Sequence, residues 1–373
     1  MQGGSYRPGD MKRGTRLRTG VNGKERRSPN NVRGVEDMPD HADSDSCLHP
    51  PARQIARLPI RNRSNLPTYP NGWFRVASSE DVTADSLLPL TYFGAHYVAF
   101  RAPDGTARVA DAYCPHLGAH LASHTGGKIE NGTITCPFHR WQFAADSGQC
   151  TRINYSRIVP PKARLTLHPA REMHGMVVMW HHTEGLPPDH EPYIETRIDT
   201  EPGWVKLDPL RWEMYAQQQE FLENIFDSAH ILELHNSETL PRFASIDDTA
   251  YGIKIVLDID VPDPEFPVAK CINDYSGISL AVQNNRARGE NLLFTSFTPI
   301  DEDRVEMTVN AYIKESGSAE LDSAFGTQFI ERFKYEVAQD LAILEHKKHL
   351  EKPLLCSGDG DILRWRQYTR RFY

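Results

Sequence analysis

Two short loops, AYCPHLGAH over residues 112–120 and CPFHRW over residues 136–141, constrain this chain more than any other feature. Together they read C-x-H, then 19 residues, then C-x2-H. A single zinc ion is the plain reading of four such ligands. Structural zinc sites, however, commonly draw two cysteines from one knuckle and two histidines from another. Here each loop carries a mixed pair. A two-iron, two-sulfide cluster explains the mixing: Cys114 and Cys136 bind one iron, His116 and His139 the other, and each loop spans the cluster. Neutral imidazoles in place of thiolates raise the reduction potential, so such a cluster accepts electrons readily. Pro115 and Pro137 stiffen the loops, Gly118 permits a tight backbone approach, and Trp141 is placed to limit water access. The nearby His120 and His124 read as surface or loop-packing residues.

A second constellation lies in ENIFDSAHILELH, residues 223–235, which reads N-x2-D-x2-H-x4-H. Steps of three put Asn224, Asp227 and His230 on one side of a helix. His235 would stand about 140° away from His230 on a regular helix, so convergence requires a break or π-type turn near Leu232 to Leu234. Two histidines and one carboxylate on adjacent corners of an octahedron form the non-haem Fe(II) facial triad, which leaves corners open for O2. The bland alternative is a polar helix end with capping histidines. The missing carboxylate is sought in a long amphipathic helix expected over 322–349. There Asp340 falls on the apolar stripe of Phe333, Val337, Leu341 and Leu344. A carboxylate facing a core needs a metal or a buried cation, and Glu336 at the stripe's edge is the runner-up.

Length and pattern place these constellations in two domains. The 373 residues carry a net charge of −8, which disfavours nucleic acid as a partner. Nine Lys or Arg crowd the first 35 residues, and five acids follow in residues 36–45. Few large apolar residues occur there, so residues 1–66 read as a disordered extension. From 67 to 186, short apolar runs separated by turn residues predict a small all-β domain holding the cluster. From 187 to 373, helices flanking an antiparallel sheet predict an α+β catalytic domain, with hairpins at QNNRARGEN and PIDEDR. The strands over 251–312 are expected to line a cavity for a large, flat, apolar molecule, with Ile253, Ile255, Ile278, Leu280, Phe294 and Phe297 as candidate walls. No run of 18 apolar residues exists, so no transmembrane segment is expected. Cys47, Cys150, Cys271 and Cys356 read as free thiols of a cytoplasmic protein. The chain has no convincing G-x-G-x-x-G unit for a dinucleotide or flavin, so electrons must come from a second protein.

In this order the motifs resemble the oxygenase α subunit of Rieske non-haem iron oxygenases, over residues 69–373. CPHLGAHL, CPFHRWQF, INYSRIVPPKARL and the tail QDLAILEHKK…LRWRQYTRRFY are most similar to the 3-ketosteroid 9α-hydroxylase and cholesterol 7-desaturase branch. The resemblance implies a helix-grip catalytic domain, a [2Fe-2S] cluster and a mononuclear Fe(II) held by His230, His235 and Asp340. It implies Asp227 as the carboxylate linking one subunit's cluster to a neighbour's iron in a homotrimer, with Asn224 tuning the pocket or the bridge. It further implies O2, a hydrophobic substrate and an NAD(P)H-dependent reductase, with or without a ferredoxin. Hydroxylation or desaturation of a steroid-like molecule is the leading expectation. Attack on an arylamine or pyrrole by an oxygenase of secondary metabolism is the alternative, ahead of a Rieske electron carrier or a zinc-stabilised module. Iron analysis of the loaded chain is expected to find about three irons per chain, where an electron carrier would hold about two.

Overall fold

The structure, a computed structural model, describes residues 55–260, 268–286 and 289–373. Residues 1–54 of the expected extension, with Cys47, lie outside the described residues. The rest of that extension is ordered, which corrects the expectation of disorder up to residue 66. Ile60 is buried, and the Arg63 guanidinium donates to the carbonyls of Leu58, Tyr215, Leu344 and Lys347 at 2.6–3.1 Å. One well-placed donor fork ties the segment to the back half of the chain, and bulk composition cannot register it.

Between residues 72 and 181 the chain forms short antiparallel strands. One four-stranded sheet runs in the order Leu88–Tyr92, Ala95–Arg101, Ala107–Asp111, Leu167–His168. A second runs Lys128–Glu130, Thr133–Thr135, Gln142–Ala144, Cys150–Arg152. Its first hairpin turns on Asn131 and Gly132, both left-handed at φ 48° and 72°, a conformation these two residue types tolerate best. A side chain at 132 would also meet the Pro103 ring at 2.3 Å. A third sheet joins Gly72–Ser78, Met176–His181 and Ala170–Met173, with Trp73 packed edge-on against Trp180.

The back half is built on an eight-stranded antiparallel sheet. Six strands follow as a meander: Arg242–Asp248, Gly252–Asp260, Val268–Ser276, Leu280–Arg286, Glu290–Pro299 and Val305–Lys314. Trp204–Lys206 and Leu210–Met214 pair with the outer edge of the last. Both faces are covered. Leu293 and Phe297 join the core beneath the helices, whereas Leu292 and Phe294 pack with Met176 from the front half. Burial on both faces makes the strand Glu290–Pro299 almost continuously buried rather than alternating.

The helix Ala319–Leu344 starts where the Ser318 hydroxyl accepts the Leu321 N–H, with Glu320 and Asp322 in its first turn. It ends at Leu344, short of the expected residue 349. There Glu345 turns its carboxylate to the Tyr215 N–H and to Arg57. The C-terminal helix Ile362–Thr369 buries Trp365 against Phe226 and Tyr275. Next to it Arg366 forks onto Glu223 at 2.7 and 2.9 Å, Lys347 meets Glu220 at 2.7 Å, and His349 hydrogen-bonds the same carboxylate. The architecture is α+β, as expected. Among the described residues no helix is long and apolar enough to cross a membrane.

This charge cluster carries a pH signature. Burial pushes the Glu220 carboxyl up, but the His349 hydrogen bond and the Lys347 ammonium outweigh it and bring it from 4.5 to about 2. A carboxyl depressed by folding stabilises the protein fully above its unfolded pKa, and that contribution disappears as pH falls through the folded value. Glu220→Gln should therefore cost about 3 kcal/mol near neutral pH. Urea titrations should show the gap from the wild type shrinking between pH 4.5 and about 2. A gap that does not change with pH would assign the loss to packing alone.

Candidate active site

The two ligand loops share one backbone design. The Cys114 N–H donates to Ala119 O and the Gly118 N–H returns to Cys114 O, at 2.9 and 3.0 Å. The Cys136 N–H donates to Trp141 O and the Arg140 N–H returns to Cys136 O, at 2.9 and 3.2 Å. Each turn needs a left-handed residue four positions after its cysteine: Gly118 at φ 72° and Arg140 at φ 59°. The arginine hides this repeat in the sequence, because glycine is the usual signal for that conformation.

Inside the loops both thiols are buried, and each perturbs the other. The Cys114 thiol, with the N–H groups of Phe138 and His139, pulls Cys136 down. The Cys136 thiol and burial push Cys114 up. The His116 and His139 rings stand 4.6 Å apart, and His139 Nδ1 is buried with no partner. Trp141 stacks on His116 at 4.4 Å and gives its indole N–H to the Tyr155 hydroxyl at 2.8 Å. The donors thus segregate into a thiol pair and an imidazole pair. A [2Fe-2S] cluster, which takes two thiolates on one iron and two imidazoles on the other, fits this split. Another set of residues brings three ligand atoms within 4.8 Å of one another. His120 Nδ1 accepts the Ala122 N–H, which accords with a loop-packing role.

That other set is His230, His235 and Asp340. The segment bearing the histidines is not one helix. Gln218–Leu222 tightens into a 3-10 turn, Glu223–Phe226, and breaks at Asp227 before Ser228–Glu233. Asn224, Asp227 and His230 therefore do not share one face of a continuous helix, which corrects the spacing argument. Asp227 is instead the N-cap of the second piece, its carboxylate accepting the His230 N–H. The turn required between the histidines is present: the Leu234 and His235 N–H groups both donate to His230 O, at 2.8 and 3.2 Å, the second a π-type bond.

Each imidazole is oriented through its Nδ1. His230 Nδ1–H donates to the Asp227 backbone carbonyl, and His235 Nδ1–H donates to Gln339 Oε1 at 3.2 Å. Both Nε2 atoms stay free for a ligand, with His235 Nε2 3.4 Å from Asp340 Oδ1. Asp340 Oδ1 is buried with no hydrogen-bond partner. Burial pushes the His235 imidazole down, but Asp340 and Gln339 outweigh it and raise it. Burial likewise raises the Asp227 carboxyl. The runner-up Glu336 is engaged by Arg332, which also donates to His235 O at 2.8 Å. A divalent cation fits the trio, because an unpartnered buried carboxylate facing two oriented imidazole lone pairs is otherwise costly. Sequence reasoning misses Gln339, whose one local signal is its place beside Asp340.

A cavity of about 390 Å³ opens on the trio. Its apolar wall includes Phe221, Leu257, Leu293, Phe297, Met307 and Phe333. Asn224 lines it too. Of the six walls expected from sequence only Phe297 does. Leu280 and Phe294 point away, into clusters with front-half residues. Ile253, Ile255 and Ile278 are buried in the core.

Residues 179–373 match the family described as the 3-ketosteroid 9alpha-hydroxylase C-terminal domain, and residues 72–161 match the Rieske [2Fe-2S] domain. The chain belongs to the Rieske non-haem iron oxygenases, in the 3-ketosteroid 9α-hydroxylase branch. It is 29% identical to cholesterol 7-desaturase nvd of Xenopus laevis over 86% of this chain and 76% of that protein. It is 27% identical to the oxygenase component of 3-ketosteroid-9-alpha-monooxygenase of Rhodococcus rhodochrous over 85% of this chain and 88% of that protein. The fold matches dicamba monooxygenase with a TM-score of 0.64 at 17% identity, covering 82% and 98% of the two chains. As a member of this Rieske family the chain is an O2-dependent oxidoreductase, and its Rieske domain takes a [2Fe-2S] cluster. An oxygenase component of this kind takes its electrons from a partner protein.

Gln339→Leu removes the acceptor that orients His235. It should weaken ferrous-ion affinity about 10–100-fold, as read by chelator competition, and leave the visible spectrum of the cluster unchanged.

Proposed function

We propose that this oxygenase hydroxylates or desaturates a steroid-like ring system. The observation that carries this reading is the oriented His230, His235 and Asp340 trio opening on a cavity walled mainly by apolar side chains. Relatives named for cholesterol and for 3-ketosteroids point to the same chemical class.

In this reading Cys114, His116, Cys136 and His139 hold the cluster, and His230, His235 and Asp340 hold the iron. When bound, the two groups supply one-electron transfer and reduction of O2. The protein's part is ligation, orientation and exclusion of water. Phe221, Phe297, Phe333 and their neighbours present a low-polarity wall that orients a flat substrate by shape. The electron donor is an NAD(P)H-dependent reductase, acting directly or through a ferredoxin.

The exposed Leu117 and Phe138 flank the cluster histidines at the surface. They suit a tip that docks on another copy of the chain, and we assign the assembly as a homotrimer. There the Asp227 carboxylate receives the ring N–H of a neighbouring copy's His116 or His139. Asn224, three residues before Asp227 and on the cavity wall, adjusts the pocket.

Turnover of a panel holding sterols, 3-ketosteroids and arylamines with a surrogate reductase, followed by mass spectrometry, tests the substrate class. Products from arylamines alone would overturn it. Asp227→Ala should keep both metal centres by iron content and spectrum yet lose at least 90% of turnover, an expected loss on the order of tenfold or more. Undiminished turnover would remove Asp227 from the electron path.

A further inference from the structure

The cavity wall is not uniformly apolar. On the strands Val268–Ser276 and Leu280–Arg286, Cys271 pairs across with Asn285, Asn273 with Gln283, and Tyr275 with Ala281. All six face the cavity, and four of them are polar. They come from the sheet, whereas the metal-ligand trio comes from two helices and the turn after the shorter one, so this polar island belongs to the substrate end of the site.

Its hydrogen bonds run in one direction. Gln283 donates one N–H to Cys271 Sγ at 3.1 Å and one to Asn285 Oδ1 at 3.1 Å. Asn285 in turn donates to Asn291 Oδ1 at 2.9 Å. Asn273 donates to the same Cys271 Sγ at 3.2 Å. The donors are thus largely consumed inside the island. Among the described residues no group donates to Asn273 Oδ1 or Gln283 Oε1. Asn273 is only 1% exposed and lines the cavity. An amide oxygen that meets an apolar cavity without a donor forfeits a hydrogen bond, and the cavity is the open direction from which a donor can come.

We propose that Asn273 and Gln283 form a polar subsite that accepts a hydrogen bond from a hydroxyl on one end of an otherwise apolar ring substrate, and so selects the alcohol over the corresponding ketone. A hydroxyl donates its one proton to one of these amide oxygens and takes the remaining Asn273 N–H on its own oxygen. A ketone can take only that N–H and sets its oxygen against two carbonyl acceptors. The relatives are named for an alcohol, cholesterol, and for 3-ketosteroids, and this subsite separates the two cases. The inference rests on the cavity being the substrate site.

The test measures equilibrium binding to the anaerobic holoenzyme by calorimetry. The probes are a saturated steroid bearing either a hydroxyl or a ketone at the same carbon, the parent hydrocarbon, and the smaller pair decalol and decalone. The wild type should bind each alcohol about tenfold more tightly than its ketone. Asn273→Leu and Gln283→Met should bring each pair to within about twofold while binding the hydrocarbon no more weakly. Equal affinities in the wild type, a ketone preference, or an alcohol preference that survives both substitutions would overturn the subsite. An alcohol preference with decalol while no steroid binds would keep the subsite and remove the steroid reading. Steroids that bind without regard to the hydroxyl would do the reverse.

Discussion

Two imidazoles and a carboxylate hold their ligand atoms within 4.8 Å of one another at the mouth of an apolar cavity. Such a meeting favours a cation, because a buried carboxylate faces two imidazole nitrogens that have given up water. Much of the back half exists to enforce it. Asp340 rides on the long helix, and the histidines ride on a segment more than 100 residues earlier, linked to it through His235 and Gln339, 104 residues apart. The break at Asp227 and the π-type bond at His235 swing the two rings onto one point. The buried cluster of Glu220, Glu223, Lys347 and Arg366 then clamps the broken helix to the C-terminal tail. The last residues of the chain are therefore structural supports for candidate ligands that lie far from them in sequence.

The front half solves a related problem with loops. Each loop closes over its cysteine with the same pair of backbone hydrogen bonds, so two turns of unlike sequence present ligands in matched poses. Placing the histidine two residues after one cysteine and three after the other offsets the rings without disturbing that frame. Trp141 then shields one ring by stacking and is itself held by Tyr155.

Between these sites stands a sheet covered on both sides. Its outward residues pack against front-half strands, and its inward residues form both the core and the cavity. That sharing explains why reading apolar strands alone misassigns the walls: Phe294 and Phe297 lie three residues apart and face opposite ways. It also allows an inward polar row, Cys271, Asn273, Gln283 and Asn285, to sit in an otherwise greasy face.

The sequence by itself named the candidates for the chemistry. Cys114, His116, Cys136 and His139 stood out because mixed ligation demands specific residue types at short range. His230 and His235 were legible for the same reason, and their five-residue spacing even demanded the turn that the backbone makes. Asp340 could be inferred because a carboxylate on an apolar stripe demands a cation or a metal beside it. The tertiary structure alone decided which strand faces line the cavity, that Asp227 caps a broken helix, that Gln339 orients His235, and that Arg63 orders the segment before residue 67. Each of these depends on contacts between residues distant in the chain, and local spacing carries no record of which distant group will arrive as a partner.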